Sequence, residues 1–182
     1  MNVLFIGGLV GKSGRKALEE HLPNIASELK LDFIVVNAEN SAHGFGITAS
    51  ICESLFAMGV DVITTGNHVW DQREIMNYIA GDDRWLRPLN FPAGTPGKGA
   101  GVFETKDGRK VMVVHAMCRL FMDPLDDPFA VAAKHLETWR LGANAHAIVL
   151  DFHGEATSEK MAMAHYLDGR VSDRKSVVEG RG

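Results

Sequence analysis

The chain has 182 residues, of which 46% are hydrophobic and 23% are charged, and this balance excludes a largely disordered protein. Its 19 Lys and Arg residues against 23 Asp and Glu residues give a net charge of −4, which argues against a nucleic-acid or anionic-membrane binder that works through a basic surface. The length fits one compact domain, or one domain with an appendage.

The apolar segments and the cysteines indicate where the protein works. No apolar run approaches the roughly 18 residues that a membrane helix needs. The apolar N-terminus lacks both the preceding positive charge and the cleavage site of a secretory signal. Two cysteines, Cys52 and Cys118, are too few for a disulfide framework, and both lie in apolar surroundings. We therefore expect buried thiols in a cytoplasmic protein that has no membrane partner.

The predicted elements alternate along the chain between short apolar strands and longer amphipathic helices. In chain order, strands are predicted over 3–6, 33–36, 62–65 and 147–150. Helices are predicted over 13–29, 48–58, 71–80, 129–141 and 158–167. Pro23 is expected to split or kink the first helix, because proline removes one helical hydrogen bond.

A loop and a hairpin interrupt this alternation. Residues 88–101 are rich in proline and glycine and predict a loop. Residues 102–114 predict a hairpin that turns at Asp107-Gly108. Because strands and helices otherwise alternate, the sequence predicts an α/β fold, either a layered sandwich or a doubly wound sheet.

Polar residues follow three of the predicted strands. They are Glu39-Asn40, Asn67-His68 and His153. Open α/β sheets form ligand sites beyond the carboxyl ends of their strands, so we expect these residues to meet in one crevice. A carboxylate, amide oxygens and an imidazole suit a divalent transition ion such as Mn, Fe or Zn. His43 and Phe45 lie in the loop 41–46 close to Glu39, where they could contact substrate.

Two alternative interpretations stay open at this point. Taken singly, an asparagine after a strand is usually a turn residue, and a lone histidine usually belongs to the surface or the core. The segment from Gly7 to Ser13 also resembles the phosphate-binding loop of an ATPase, and Asp151 ends a run typical of a Walker B strand. That loop is one residue short, because Ile6 stands where the first glycine is required.

A set of motifs extends this interpretation to a family. Gly66-Asn67-His68 after a buried strand is the central signature of calcineurin-like metallophosphoesterases. The neighbouring motifs resemble the YmdB-like branch, whose members hydrolyse phosphodiesters, including 2′,3′-cyclic nucleotides, at a two-metal centre. These motifs are Asn37-Ala38-Glu39-Asn40, Gly44-Phe45-Gly46-Ile47-Thr48, Gly66-Asn67-His68-Val69-Trp70-Asp71, Arg87-Pro88-Leu89-Asn90, Gly94-Thr95-Pro96-Gly97, Phe121-Met122-Asp123-Pro124-Leu125 and the segment from Asp151 to Lys160.

The resemblance implies a role for each matching position. Glu39 corresponds to the carboxylate that bridges the two metals. Asn67 and His153 correspond to ligands of the second metal, and Asn40 lies beside them. His68 matches the histidine that protonates the leaving oxygen while a metal-held water attacks phosphorus in line. The fold implied is the layered α/β sandwich of the calcineurin-like enzymes.

The sequence departs from the family at two places. The family's first strand ends in Gly-Asp, and that Asp is a ligand of the first metal, whereas Gly8 stands here. After Ser172 the family continues into a segment with two further histidine ligands, whereas residues 173–182 do not resemble it. We therefore expect a partial domain over 1–172 that is incomplete at its C-terminal end, and a non-native or read-through tail over 173–182.

These observations yield ranked hypotheses of function. The first is a metal-dependent phosphodiesterase of bacterial type that binds at most one Fe, Mn or Zn ion and acts on a small phosphodiester or cyclic nucleotide. The second is a catalytically incompetent fragment or a binding-only homologue, favoured by Gly8. The third and least favoured is a P-loop-like nucleotide hydrolase. No stable nucleic-acid complex is expected, and homo-oligomerisation is left open.

Overall fold

The computed structural model describes residues 1–79 and 81–175 of the chain. By the clustering of its contacts, the chain divides into two compact units, Met1–Trp85 and a second that begins at Leu86. Each unit is organised around a four-stranded sheet. Among the described residues, no helix has the length and apolar character needed to cross a membrane.

The sheet of the first unit has the strand order β1-β2-β3-β4, and β1, β2 and β3 pair in parallel. Its strands are β1 (Val3–Ile6), β2 (Phe33–Asn37), β3 (Val62–Thr64) and β4 (Trp85–Leu86). Every residue of β2 and β3 is buried, as expected for parallel strands covered on both faces. The predicted first three strands are therefore confirmed, whereas β4 was not predicted.

The helices of the first unit connect these parallel strands. They are α1 (Gly11–Glu28), α2 (Ala49–Ala57), a 3₁₀ turn (Asn67–Trp70) and α3 (Ile75–Tyr78). The expected break at Pro23 is wrong: α1 runs through it without interruption, and the neighbouring Leu22 is 1% exposed. The Thr48 side chain caps α2 by accepting a hydrogen bond from the Ile51 N–H.

The sheet of the second unit has the order β5-β6-β7-β8. Its strands are β5 (Ala100–Glu104), β6 (Lys110–Met117), β7 (Ala147–His153) and β8 (Asp173–Lys175), and its helices are α4 (Pro128–His135) and α5 (Thr157–Tyr166). The β5–β6 pair is antiparallel, which confirms the predicted hairpin. The β6–β7 and β7–β8 pairs are parallel.

The two faces of the second sheet have different chemistry. Alternate residues of β6 and β7 face an apolar core that also includes Ala132 of α4 and Met163 of α5. The intervening residues point to the opposite face because side chains alternate along a strand. At the carboxyl end of that face lie His115, Asp151 and His153, all of them buried.

Two sequence expectations differ from the structure of the second unit, and part of the expected tail lies in a strand. Strand β7 continues through Asp151 to His153 instead of ending at residue 150. Helix α4 ends at His135 instead of reaching residue 141. Residues 173–175, assigned above to a tail, form β8 beside β7, and the remaining tail residues 176–182 lie outside the described residues. The domain boundaries themselves stay a prediction.

Candidate functional site

The segments that leave β2 and β3 are held side by side in the first unit. Asn37, the last residue of β2, is opposite Thr64 in the parallel register. Its side-chain amide donates to the Thr65 carbonyl oxygen at 3.0 Å, and the Ala38 N–H donates to the Thr64 carbonyl oxygen at 3.0 Å. These bonds fix the starting points of the two polar segments that carry Glu39-Asn40 and Asn67-His68.

Glu39 is a buried carboxylate at the first of these segments. Glu39 is 1% exposed, and its backbone N–H donates to the Asn37 side-chain oxygen at 3.4 Å. The Asn40 amide nitrogen donates to Glu39 Oε1 at 3.4 Å. A buried carboxylate is costly unless other charges or hydrogen bonds compensate it, so this position is typical of an ion site. These two consecutive residues therefore also share a hydrogen bond between their side chains.

His68 lies in the 3₁₀ turn that follows β3. Its Nδ1 is 2.7 Å from Oδ2 of Asp71, a residue to which the sequence analysis gave no role. The Phe45 ring meets the His68 ring edge to face, with centroids 5.0 Å apart and planes at 72°. Asp71 follows His68 by three residues, and this spacing within a turn was the sequence signal for the pair. The imidazole is therefore held on its Nδ1 side, with Phe45 against it.

The loop 41–46 carries the two residues expected to contact substrate. His43 is exposed and has a left-handed backbone, with φ of 57°. The side-chain amide of Gln72 donates to the Phe45 carbonyl oxygen at 2.9 Å. Gly46 also adopts a positive φ of 74°, and a Cβ there would lie 2.9 Å from the Gln72 side chain. This loop therefore packs closely on the segment that follows His68.

The loop between β1 and α1 does not form the cradle of an ATPase. The Leu9 N–H donates to the Asn37 carbonyl oxygen at 3.0 Å, and the Gly11 N–H donates to the Asn40 carbonyl oxygen at 2.8 Å. A phosphate-binding loop must keep such amides for the phosphate oxygens. These hydrogen bonds disfavour the P-loop alternative.

His153 lies at the end of β7 in the second unit and has a polar neighbourhood there. Its ring centroid is 6.5 Å from that of His115, which belongs to β6. Nδ1 of His115 lies 3.1 Å from the Asp151 carbonyl oxygen and 3.2 Å from Asp151 Oδ2. Because both neighbours are acceptors, this nitrogen carries the proton. The fully buried Nε2 of His115 has no hydrogen-bond partner, and from sequence a site role for this residue, at the end of a strand, was possible but had no motif to support it.

Hydrogen bonds hold the loop after β6 beside His153. The Cys118 N–H donates to the His153 carbonyl oxygen at 2.7 Å. The Glu159 carboxylate accepts hydrogen bonds from the N–H groups of Arg119 and Leu120, each with one contact of 2.9 Å. Gly154 is in close contact with Cys118, since a Cβ at Gly154 would lie 2.3 Å from the Cys118 Cβ. These contacts give structural reasons for part of the motif from Asp151 to Lys160.

The predicted ligand set fits a divalent ion in its chemistry. It combines the Glu39 carboxylate, the Asn40 and Asn67 amides and the His153 imidazole, which are donors that Mn, Fe and Zn accept. Across the part of the chain that the structure describes, no group of three or more His, Cys, Asp and Glu residues is placed to hold a metal ion. Gly8 is exposed and supplies no side-chain donor. The convergence of Glu39 and Asn67 with His153 stays a prediction.

Comparison with known proteins identifies relatives over most of the chain. The profile of the family described as YmdB-like protein matches residues 4–175. A protein of Bacillus subtilis named 2′,3′-cyclic-nucleotide 2′-phosphodiesterase is 43% identical over 172 residues, which are 94% of this chain and 64% of that protein. The chain thus spans just under two thirds of the length of this relative.

Solved structures agree with this result. A crystal structure of a protein from Thermus thermophilus superposes with a TM-score of 0.87 at 43% identity. The match covers 94% of this chain and 65% of the Thermus chain. A crystal structure described as a novel phosphatase from Mycoplasma pneumoniae gives a TM-score of 0.87 at 30% identity, with coverages of 97% and 63%. These likenesses confirm the predicted α/β fold class of the calcineurin-like enzymes.

Proposed function

The chain belongs to the YmdB-like protein family, and from this premise we propose that it is a metal-dependent phosphodiesterase that opens 2′,3′-cyclic nucleotides at the 2′-oxygen. The observation that carries the proposal is the placement of His68 after β3, held by Asp71, on a strand end next to the one that presents buried Glu39. The name of the Bacillus subtilis relative supports the choice of substrate.

A single divalent ion, Fe, Mn or Zn, would be held by Glu39, Asn67 and His153, with Asn40 beside them. When bound, such an ion supplies Lewis-acid stabilisation of the charge on the phosphoryl oxygens. Gly8 stands where the family carries a ligand aspartate and offers no side-chain oxygen, which favours one ion over two. The Asn40 amide, which already donates to Glu39, orients that carboxylate.

His68 supplies the proton that the leaving oxygen needs. As water adds to phosphorus, the bond from phosphorus to the ribose 2′-oxygen breaks, and that oxygen leaves as a hydroxyl with a proton from the imidazole Nε2. The water loses its proton to solvent, and the product keeps its phosphate on the 3′-oxygen. Because Nδ1 lies 2.7 Å from the Asp71 carboxylate, Nε2 is the nitrogen turned to the substrate.

The substrate would be contacted from the loop 41–46 by His43 and Phe45. His43 is exposed, and an N–H of its imidazole can donate a hydrogen bond to a phosphodiester oxygen. We propose a small cyclic nucleotide in the cytoplasm as the partner, since Cys52 and Cys118 are free thiols suited to a reducing compartment.

A second candidate is a binding-only homologue that holds a phosphodiester without cleaving it. The absence of any side chain at Gly8 favours this candidate, because catalytic groups that act as a unit lose most of the rate when one of them is removed. The ion-ligand residues Glu39 and Asn67 would serve the same purpose in both cases. Turnover therefore separates the two candidates.

The test is hydrolysis of 2′,3′-cyclic AMP by the purified chain supplied with Mn²⁺. We expect adenosine 3′-phosphate as the product, and loss of turnover after chelation or in Asn67→Ala. Asn77→Ala, which alters an exposed asparagine of α3, is the matched control and should behave as wild type. Turnover no faster than that of Asn67→Ala would reject the phosphodiesterase, and binding of the cyclic nucleotide without turnover would favour the second candidate.

A further inference from the structure

The aromatic ring beside His68 has a more specific use in this reaction. We propose that the open face of Phe45 is the platform on which the substrate's base stacks, and that this contact selects the 2′-oxygen as the leaving oxygen. The inference rests on the proposed function, and it names the residue that reads the base and sets the position of cleavage.

The Phe45 side chain is largely exposed to solvent although it lies against His68. Its side chain is 58% exposed, yet its ring contacts the His68 ring at a centroid distance of 5.0 Å. Phenylalanine side chains are often buried, and the exposure of Phe45 shows that this ring is not part of an apolar core. An exposed aromatic face beside a proton donor is suited to a flat, aromatic part of the ligand.

The Phe45 backbone and the His68 ring are held by neighbouring residues. Gln72 donates to the Phe45 carbonyl oxygen at 2.9 Å, and the adjacent Asp71 holds His68 at 2.7 Å. Gly46 packs against both supports, since a Cβ there would lie 2.9 Å from Gln72 Cγ and 3.2 Å from Asp71 Cβ. The Phe45 backbone and the His68 imidazole are therefore held by two consecutive residues, which places the two rings in contact.

The chemistry of a cyclic nucleotide matches this spacing. The 2′-oxygen is carried by the ribose carbon next to the one that bears the base, whereas the 3′-oxygen is one carbon further away. When His68 donates its proton to the 2′-oxygen, the base, which is the aromatic part of the substrate, lies close to His68. It can then stack on the neighbouring Phe45 ring. Donation to the 3′-oxygen would move the base away from Phe45 and lose the stacking contact.

The experiment compares two cyclic phosphodiesters that differ only in the base. They are 2′,3′-cyclic AMP and the 2′,3′-cyclic phosphate of methyl riboside, which has no base. We expect Phe45→Ala to lower kcat/KM for the nucleotide about tenfold, as the loss of one stacked base does, and to change it less than about twofold for the riboside. Phe45→Trp should restore the nucleotide rate. The nucleotide products of Phe45→Ala should contain the 2′-phosphate beside the 3′-phosphate.

A control and a second measurement keep the result decisive. Phe121→Ala removes an aromatic side chain that is 89% exposed in the second unit, and it should leave kcat/KM unchanged for both substrates. Affinity for adenosine 3′-phosphate, measured without turnover, should fall about tenfold in Phe45→Ala but not in Phe121→Ala. Equal losses for both substrates would show that Phe45 only shields His68, and unchanged nucleotide affinity would also overturn the proposal. Failure of the proposed function would be different: the wild-type chain would hydrolyse neither substrate.

Discussion

His68 and Asp71 form an imidazole–carboxylate pair in which Nδ1 and Oδ2 lie 2.7 Å apart. The pair closes the 3₁₀ turn Asn67–Trp70, so the same short turn presents Asn67 and orients the histidine beside it. A carboxylate in this position selects the imidazole tautomer and fixes the direction in which the other nitrogen points. Asp71 is thus a positioning residue. Its substitution should affect the same step of the reaction as substitution of His68.

Replacement of Asp71 should slow the chemical step and leave binding unchanged. We expect Asp71→Ala to lower kcat about tenfold or more for substrates with alkoxide leaving groups, a share of the roughly 10²–10⁴-fold that general acid catalysis contributes. Asp71→Asn should recover part of the loss, because its amide oxygen can still accept from Nδ1. The measurement is kcat and KM for alkyl and nitrophenyl phosphodiesters. Equal losses for both leaving groups would assign Asp71 a purely structural role.

Neighbouring substitutions in the same turn should separate proton transfer from ion binding. His68→Ala should keep its metal content and lose turnover by roughly 10²–10⁴-fold, less for nitrophenyl esters, whose leaving group departs without a proton. Asn67→Ala should lose metal and turnover together. Metal analysis of both purified variants, alongside their rates, is the measurement. Loss of metal in His68→Ala would remove its assignment as the proton donor.

The contact between Gly154 and Cys118 should appear as a large coupling energy. A Cβ at Gly154 would lie 2.3 Å from Cys118 Cβ and 2.5 Å from Cys118 Sγ, but 3.5 Å from its Cα. Gly154→Ala should therefore lower the free energy of unfolding by about 1–3 kcal/mol, and Cys118→Gly should relieve the part of that cost that comes from the contact in the double variant. Denaturant unfolding of all four proteins measures the coupling. Additive effects would show that the two residues do not meet.

Glu159 should hold the loop after β6 in place. Its carboxylate accepts from the N–H groups of Arg119 and Leu120, and the residue is 9% exposed. Glu159→Ala leaves those donors without their acceptor, and we expect the free energy of unfolding to fall by about 1–3 kcal/mol. Amide hydrogen exchange at the two donors should also quicken. Glu137→Ala, at an exposed glutamate, is the control, and equal exchange in both variants would contradict the anchoring role.

The two cysteines should resist modification in the folded protein. Burial raises the pKa of Cys52 and of Cys118 to about 12 from 9.0. At pH 8 roughly one thiol in 10⁴ is then ionised, so alkylation should be slow until the protein unfolds. Because the fold favours the protonated thiols, their contribution to stability is complete below pH 9.0 and is lost as the pH rises to about 12. Timed alkylation with mass analysis tests this, and rapid labelling at pH 8 would contradict it.

The elements predicted best from sequence are those whose residues strongly prefer one type of secondary structure. The continuous apolar runs of β1 and β2 and the turn at Asp107-Gly108 required no tertiary information. Strand β7 was predicted too short, because Asp151 and His153 are polar and strands at that depth are usually apolar. Their place in the strand depends on a neighbour distant in sequence: His115 of β6 pairs with Asp151 across the ladder.

Helix α4 shows a second limit of sequence reasoning. Helical spacing continues to residue 141, yet the helix ends at His135. The side chain of Asn144 donates to the Thr138 carbonyl oxygen and accepts from the Arg140 N–H, each at 2.7 Å, and so closes a turn in place of a further helical turn. In the candidate site, the residue types of Glu39 and His68 were readable from the motifs. The spacing of three residues was a signal for the pairing of Asp71 with His68, whereas the contact of Phe45 with His68 joins two segments distant in sequence and became visible only in the structure.

The β5–β6 hairpin has a consequence for the order in which the second sheet assembles. Its strands are joined by residues 105–109 alone, whereas β6 and β7 pair across residues 118–146. Closing the short connection costs less chain entropy and takes place on a faster timescale than closing the long one. We therefore expect the hairpin to form first, and β7, with His153, to pair with the hairpin afterwards. Changes in the Asp107-Gly108 turn would slow folding while leaving the finished site intact.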